Sequence, residues 1–192
     1  RKSDKRGTQG PKPSPQKCSD SPSAAAMLMS PKMAGSYLVK DEKRAEKVRE
    51  LFDAIAPRYD LINDLQSFWL HRYWKRRLVQ LTGVKPGQRS LDLCCGTGDV
   101  ALALAGQGAR VTAMDFSEQM LKIAGQRKGD ADIEYKAGDA LNTGEPDAHY
   151  DCVTIAYGLR NLASFEGGLA EMHRVTKPGG RLLALDFGKP PS

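Results

Sequence analysis

Cysteine is scarce in this chain of 192 residues, and its four copies fall in no pattern that a metal would use. Cys18, Cys94, Cys95 and Cys152 form no CxxC and have no histidine at ligand spacing, whereas a zinc site needs four converging nitrogen or sulfur ligands. No metal is expected. So few thiols among apolar neighbours imply reduced cysteines in an intracellular compartment, and Cys152, between Asp151 and Val153, reads as a small core residue. Long apolar runs are missing as well: none approaches the ~18 residues that a membrane span needs. Positive charge is missing where nucleic acid would need it. The formal net charge is +6, but residues 1–40 carry eight Lys and Arg against Asp4 and Asp20, which leaves 41–192 balanced. An electrostatic footprint for nucleic acid belongs on the folded part, so no nucleic-acid partner is expected.

Residues 1–39 are basic, rich in Pro and Ser, and nearly without apolar side chains before Ala24. Such a tail cannot bury enough surface to offset its ordering entropy, and its composition predicts disorder. It reads either as an organelle transit segment or as residues ahead of a true start at Met27, Met29 or Met33. Residues 40–192 read as one domain. Lys40–Ala56 has an apolar stripe at Val48, Leu51, Phe52 and Ile55, which predicts a helix stopped by Pro57. A second helix is expected from about Ser67 to Leu81, with Ser67 as N-cap, Gly83 beyond its end, and Trp69, Leu70, Tyr73, Trp74, Leu78 and Leu81 as its buried side.

From Arg89 the pattern alternates. Strands are expected at 89–95, 110–115, 132–138, 150–157 and 181–187, with helices at 98–107, 117–127 and 162–175. Repeated βα units imply right-handed crossovers and an α/β fold: a Rossmann-like, doubly wound, mostly parallel sheet. Ligands of such sheets lie at the carboxyl ends of the strands, near the switch point. Those ends are Cys95–Gly98, Asp115, Asp139 and Tyr157.

The first of them is LDLCCGTGD, residues 91–99. Gly96–Ala101 satisfies G-x-G-x-x-A, the dinucleotide pattern, and no Gly-Lys-Ser/Thr follows to make a P-loop. The surrounding charge separates the remaining ligands. A pyrophosphate on a helix N-terminus wants donors or positive charge. Here Asp92 precedes the turn, Asp99 follows it, and no Lys or Arg occurs from Ser90 to Gly108. Carboxylates suit instead a ligand with an ammonium and a sulfonium group, which is S-adenosylmethionine. Asp115 could accept both ribose hydroxyls of either ligand. Asp139 could accept from an adenine amino group, with Ala140 offering its N–H, or could simply be a turn residue.

LDLCCGTGD, MDFSEQML, GDALN, YGLRN and RVTKPGG occur in the order seen in class I S-adenosylmethionine-dependent methyltransferases. More narrowly, YDLINDLQSFWLHRYW at 59–74, together with Arg174–Gly180 and Asp186, resembles the two signatures of the ubiquinone/menaquinone C-methyltransferase family. The resemblance covers roughly residues 44–189. Ile62, Gln66, Thr176, Asp186 and Gly188 depart from the family's usual residues at these positions. Family members continue after the fifth strand with further strands and helices over the substrate. This chain stops at GKPPS and reads either as a fragment or as a shortened protein with an open sheet edge.

The resemblance implies that Thr97, with Gly96 and Gly98, lies along the methionine part of the cofactor, and that Asp92 belongs to the same site. It implies Asp115 at the ribose, Asp139 and Ala140 at the adenine, and Ala156 as a backbone contact. Tyr59 and Trp74 would belong to an N-terminal helical cover, or merely pack there. The implied activity is C-methylation of a demethylated polyprenyl quinol of the demethylmenaquinol type, leading to menaquinone, ubiquinone or phylloquinone-type products. His71, Asp60 and Arg160 are the candidates to assist removal of the phenolic proton, Arg160 by stabilising a phenolate. Arg160 could alternatively pair with a helix carboxylate, and His149 and His173 receive no role. The lipophilic substrate implies work at a membrane surface without a membrane span, in the cytoplasm or, under the transit reading, in an organelle. A methyltransferase for another small molecule and a cofactor-binding module without activity are the competing expectations.

Overall fold

The structure is a computed structural model and describes Ala56 and residues 70–187. The expected tail at 1–39, the helix at Lys40–Ala56 apart from Ala56 itself, and Ser67 and Trp69 lie outside the described residues.

The described chain opens with helix α1, Leu70–Thr82, and continues as β1 (Arg89–Leu93), α2 (Asp99–Ala105), β2 (Arg110–Asp115), α3 (Glu118–Arg127), β3 (Ile133–Ala137), β4 (Tyr150–Ala156), a single 3-10 turn at Leu159–Asn161, α4 (Phe165–Val175) and β5 (Thr176–Leu185). The strands form one sheet in the order β3-β2-β1-β4-β5, every neighbouring pair parallel. The Rossmann-like reading of the sequence is therefore the observed architecture. The chain runs from β1 outward to β3 and then, after a return, from β4 outward to β5. The switch point lies between β1 and β4, where the two halves wind apart.

Local sequence explains the helix starts. Ser117 and Ser164 are N-caps whose hydroxyls accept the N–H of Met120 and of Gly167, satisfying donors that the first turn leaves unpaired. The twelve-residue connection from β3 to β4 contains no helix among the described residues, and it is pinned at Thr143. Both its N–H and its hydroxyl donate to the buried Glu171 of α4, at 2.8 and 2.6 Å.

The core lies in two layers. On one face of the sheet Val111, Ala113 and Ile133 pack with Val100, Ala101 and Leu104 of α2 and with Leu78 and Val79 of α1. On the other, Leu91, Leu93, Val153 and Ile155 pack with Met172 and Val175 of α4. Side chains alternate along a strand, so Ser90 and Asp92 point to the first face while Leu91 and Leu93 point to the second. Cys152, opposite Ser90, is core, as its sequence context suggested.

Two expectations are corrected. The buried side of α1 is His71, Leu78, Val79 and Thr82, whereas Leu70, Tyr73, Trp74 and Leu81 are each about half exposed. The stripe that α1 turns toward α2 and β5 runs through positions 71, 75, 78, 79 and 82, an i, i+4, i+7, i+8, i+11 series. It places a histidine and a lysine inside and two aromatics outside, so hydrophobicity alone selects the wrong face. The last strand starts at Thr176 rather than Arg181. Its pairing with β4 is broken by an irregularity, Tyr150 lying opposite Thr176 but Cys152 opposite Arg181. Lys177-Pro178-Gly179-Gly180 occupies the resulting bulge, and Lys177 reaches Asp151 at 2.8 Å.

The two leucines of α1 provide a test. Leu78 is 5% exposed and Leu81 49%. Leu78→Ala is expected to lower unfolding stability by about 2–4 kcal/mol and Leu81→Ala by less than about 1 kcal/mol. Urea denaturation of the two variants reads the difference, and equal losses would contradict the observed orientation of the helix.

Candidate functional site

The turn Cys94–Gly98 leaves β1 and enters α2, and it is fastened from two sides. From β2, the Cys95 N–H donates to the Met114 carbonyl at 3.0 Å, and the Gly96 N–H donates to Asp115 Oδ2 at 2.8 Å. The other Asp115 oxygen accepts the Ser117 N–H at 3.0 Å, so one carboxylate ties the glycine turn to the start of α3. From the end of α3, Arg127 Nη1 donates to the Thr97 carbonyl at 2.8 Å. Gly98 has φ +85°, and a Cβ there would stand 2.5 Å from the Tyr135 hydroxyl. The position combines a left-handed backbone with contact from β3, which only glycine meets without displacing a neighbour.

Beside this turn is a small pocket lined by Lys75, Asp92, Cys94, Cys95, Gly96, Thr97, Val100, Ala156 and Tyr157. It sits at the carboxyl ends of β1 and β4, the switch point of the sheet, with α1 contributing Lys75. Cys94 and Tyr157, the residues that follow these two strands, have φ of +52° and +61°. Two non-glycine residues in the left-handed region at adjacent strand ends store strain where the chain bends around the pocket.

Asp92 is 1% exposed at the pocket floor. Thr154, its register partner on β4, donates its hydroxyl to Oδ1 at 2.7 Å, the Ala101 N–H of α2 adds a weaker backbone contact to the carboxylate, and Oδ2 is buried without a hydrogen bond of full geometry. Burial pushes the carboxyl up to about 7, against the opposing influence of the Thr154 bond and the positive charge of Lys75. At neutral pH the group is divided between its acid and its anion. Asp99 is the contrary case. Burial raises its pKa too, but Lys75 at 2.9 Å and Arg127 at 2.6 Å outweigh that and hold it at about 2. The absence of Lys and Arg from residues 90–108 is thus made good by cations from α1 and α3. Asp99 is already neutralised, and the preference for a cationic ligand rests on Asp92. Burial, and then the surrounding aspartates, keep the Cys94 and Cys95 thiols far above their ordinary pKa. They are not reactive thiolates.

The other expected residues lie as follows. Asp92, Gly96, Thr97 and Ala156 line the pocket, with Gly98 and Asp115 holding the turn beside it. Asp139 is exposed just after β3 and its Oδ1 accepts the Leu141 N–H at 2.9 Å, forming an Asx turn, with Ala140 buried behind it. Neither lines this pocket. His71 is buried on α1 one turn before Lys75 and does not line it. Arg160 donates from Nη1 to Asp186 Oδ1 at 2.8 Å, and its backbone N–H donates to Oδ2 at 3.1 Å. The carboxylate that it meets lies just past β5 and not on a helix. Its guanidinium stands 5.0 Å from the centre of the Phe187 ring, which itself stacks on Tyr157. Trp74 packs edge-on against Tyr73 on the exposed side of α1. Tyr59 and Asp60 lie outside the described residues. Tyr157, expected among the strand ends that meet a ligand, does line the pocket, whereas Lys75, Arg127 and Thr154 escape the sequence reading. Thr154 alone left a signal there, as a polar residue within an otherwise apolar half-strand.

The model of the ubiE/COQ5 methyltransferase family matches residues 39–192. A ubiquinone/menaquinone biosynthesis C-methyltransferase, UbiE, of Rubrivivax gelatinosus is 44% identical over 81% of this chain and 62% of its own length. The protein of the same name from Pseudomonas fluorescens is 46% identical over 79% of this chain and 62% of its own length. The chain thus spans less than two thirds of these curated relatives. Among solved structures, a phosphoethanolamine N-methyltransferase of Haemonchus contortus in complex with S-adenosyl-L-methionine has a TM-score of 0.55 at 26% identity, covering 58% of this chain and 27% of that one. A SAM-dependent methyltransferase from Aquifex aeolicus has a TM-score of 0.55 over 62% of this chain and 66% of its own, its 24% identity supporting likeness of fold alone. The sheet order, the glycine turn at the switch point and the match across 39–192 agree, and the chain belongs to the ubiE/COQ5 methyltransferase family.

Proposed function

We propose that the pocket between β1, β4 and α1 binds S-adenosylmethionine and that the protein directs its methyl group to a ring carbon of a demethylated polyprenyl quinol. The observation that carries the cofactor half is Oδ2 of Asp92, buried at the pocket floor without a hydrogen bond of full geometry. A buried acceptor left so is costly, and an ammonium group relieves it in a way that a phosphate cannot. The residues present therefore fit the group. Asp92 in its anionic form would accept from the α-ammonium, while the Gly96–Gly98 turn offers backbone along the methionine chain. Asp115, whose carboxylate already accepts the Gly96 and Ser117 N–H groups, is the proposed neighbour of the ribose. For the adenine, Asp139 and Ala140 are the proposed neighbours.

The quinol half is supported by the names of the curated relatives and by the surface beside the pocket. Tyr157 lines the pocket and stacks on Phe187 at 5.0 Å, with the Arg160 guanidinium against the same rings. A flat aromatic face with a fixed cation suits a quinol whose hydroxyl ionises as the reaction proceeds. When bound, S-adenosylmethionine supplies a methyl already activated by its sulfonium. The protein's own work is to hold the reactants in line and to exclude water. Arg160 stays charged and, steadied by Asp186, would stabilise the phenolate; His71 and Asp60 are the remaining candidates to take the proton. Among the described residues no helix is long and apolar enough to cross a membrane. We place the reaction at a membrane surface because the substrate's polyprenyl chain resides there.

Three outcomes test this reading. S-adenosylhomocysteine, titrated calorimetrically, is expected to bind more tightly as pH rises from 6 to 8, with up to about tenfold per pH unit below about 7 and a plateau above it, because the ammonium needs ionised Asp92. Asp92→Asn should weaken binding at pH 8 and flatten the profile; heat absent from well-folded wild type at every pH would end the proposal. In the free protein the sign is opposite. A folded carboxyl with a pKa of about 7, against an ordinary 3.8, binds its proton more tightly than the unfolded chain does. This contribution is present below about pH 4 and is lost as pH rises to about 7, so Asp92→Asn should be more stable than wild type at pH 8 by roughly 2–4 kcal/mol, read from urea denaturation. For the acceptor, methyl-labelled cofactor incubated with demethylmenaquinol in detergent micelles should pass label into the quinone, and Arg160→Met should slow that transfer by about 10²-fold or more. Label that stays on the cofactor while binding persists would mark a binding module without this activity.

A further inference from the structure

The face of α1 that points away from the sheet combines apolar and basic side chains. Leu70, Tyr73, Trp74, Arg77 and Leu81 fall at i, i+3, i+4, i+7 and i+11, so they share one stripe about 16 Å long. Its four apolar members are each about half exposed, and Tyr73 and Trp74 meet edge-on. Arg76 and Gln80 border the stripe, both exposed, and Arg77 reaches Gln80 at 3.5 Å. Little in the surroundings balances these charges. From Leu65 to Leu91 the sequence has six Lys and Arg and no acidic residue. The elements on which α1 packs are α2 and β5. Strand β5 has no Asp or Glu, and the single acid of α2, Asp99, is engaged by Lys75 and Arg127. The helix is also a fixed platform. Arg181 of β5 donates to the carbonyls of Leu81 and Thr82, at 2.9 and 3.2 Å, and so closes its C-terminal end.

We propose that this stripe lies against an anionic lipid surface, with Tyr73, Trp74 and the two leucines at the headgroup boundary and Arg76 and Arg77 on lipid phosphates. Tyr and Trp place an apolar body and a polar edge where a membrane meets water. An arginine inside an apolar stripe can lay its stem along it and lift its head to the phosphates. Charge decides between occupants. In a twofold pairing with a second copy, these arginines would meet the same arginines with no acid between them, whereas an anionic leaflet draws each of them. The placement also suits the site. Lys75, next to Trp74, lines the pocket at the carboxyl ends of β1 and β4, so the first turns of α1 put the stripe beside it. The proposal gives the membrane-surface reading above its contact face, and it stands on α1 whatever the pocket holds.

The test mixes vesicles with the full chain carrying Trp69→Phe, which leaves Trp74 as its one tryptophan. The vesicles are phosphatidylcholine alone or with about one third phosphatidylglycerol. Because the basic residues 1–40 can bind anionic vesicles by themselves, the readout is at Trp74. Its emission is expected to shift to the blue, and to be quenched by brominated acyl chains, with the anionic vesicles. Arg76→Gln combined with Arg77→Gln should lower partitioning by about 10–30-fold while leaving the urea midpoint unchanged, since both side chains are exposed. Should Trp69→Phe fail to fold, the emission that Trp74→Phe removes from the native chain gives the same readout. Vesicle binding with Trp74 unshifted would assign attachment to the basic tail and overturn the proposal, as would undiminished partitioning of the double arginine variant. Trp74 emission that is already blue and shielded from acrylamide without vesicles would show the stripe covered by the chain itself. A dimer on sedimentation that Trp74→Ser dissolves would give the stripe to a second copy. Either result also overturns it.

Discussion

A carboxylate placed on the central strand of a sheet, with helices over its face, must be neutralised, paired or protonated, since an ionised carboxyl buried alone costs several kcal/mol. Asp92 is that carboxylate, and much of the surrounding architecture answers to it. Thr154 is opposite it on β4 and gives it one hydrogen bond. Lys75 approaches from α1 and lowers the cost of its charge. But Lys75 is itself half-buried and needs a partner, which is Asp99 at the start of α2. Asp99 takes a second cation, Arg127 from the end of α3, and Arg127 also donates to the Thr97 carbonyl. A chain of alternating charge therefore runs from the strand through three helices and returns to the glycine turn beside the carboxylate where it began. No link is an isolated surface pair, of the kind that contributes little. Each fixes the next.

The second organiser is Asp115, which acts through geometry more than through charge balance. By accepting the N–H groups of Gly96 and Ser117 it makes the end of β2, the turn after β1 and the cap of α3 one rigid corner. The cap side chain Ser117 then accepts from Met120, so the corner is continuous with the helix. Backbone that would otherwise be a loose loop is held open against Tyr135 and Ala124 at Gly98. On the opposite wall the chain turns sharply at Cys94 and Tyr157, two residues that accept an unfavourable φ to do so. Strain of this type persists only where neighbouring structure over-determines it, and both walls here are fixed by parallel pairing along most of their length.

Much of this was legible in the residues, for reasons that differ from element to element. The βα alternation is a matter of periodicity, and it located all five strands and the three helices that follow β1, β2 and β4. The glycine turn and Asp115 were legible because strand-end position and residue type together dictate what they can do. What escaped was whatever depends on contacts between elements distant in sequence. Local charge around the turn read as purely acidic, because Lys75 lies 24 residues before Asp99 and Arg127 lies 28 after it. Helix α1 misled in a related way: its aromatics suggested a buried face, but the face that meets α2 includes the histidine and the lysine that the polar strand end requires. Arg160 was placed correctly just after β4, yet its partner is an aspartate 26 residues later, brought there by β5.

Under the proposed function, Tyr157 stands where the donor site and the acceptor site would meet. Its place in the pocket wall puts it against whatever the glycine turn holds, while its ring lies on Phe187 and within 6.0 Å of the Arg160 guanidinium. The positive φ at Tyr157 marks the bend, since a strand that continued straight would direct this side chain to one face of the sheet rather than across its end. Arg160 and Asp186 then tie the segment after β4 to the segment after β5 through two hydrogen bonds. In transfer of an activated methyl, rate depends chiefly on holding donor and acceptor in line, so a rigid joint between the two halves matters more than a strong base. The ends of β1 and β4 supply one half of that joint, and the Arg160–Asp186 tie holds the aromatic face of the other half against it.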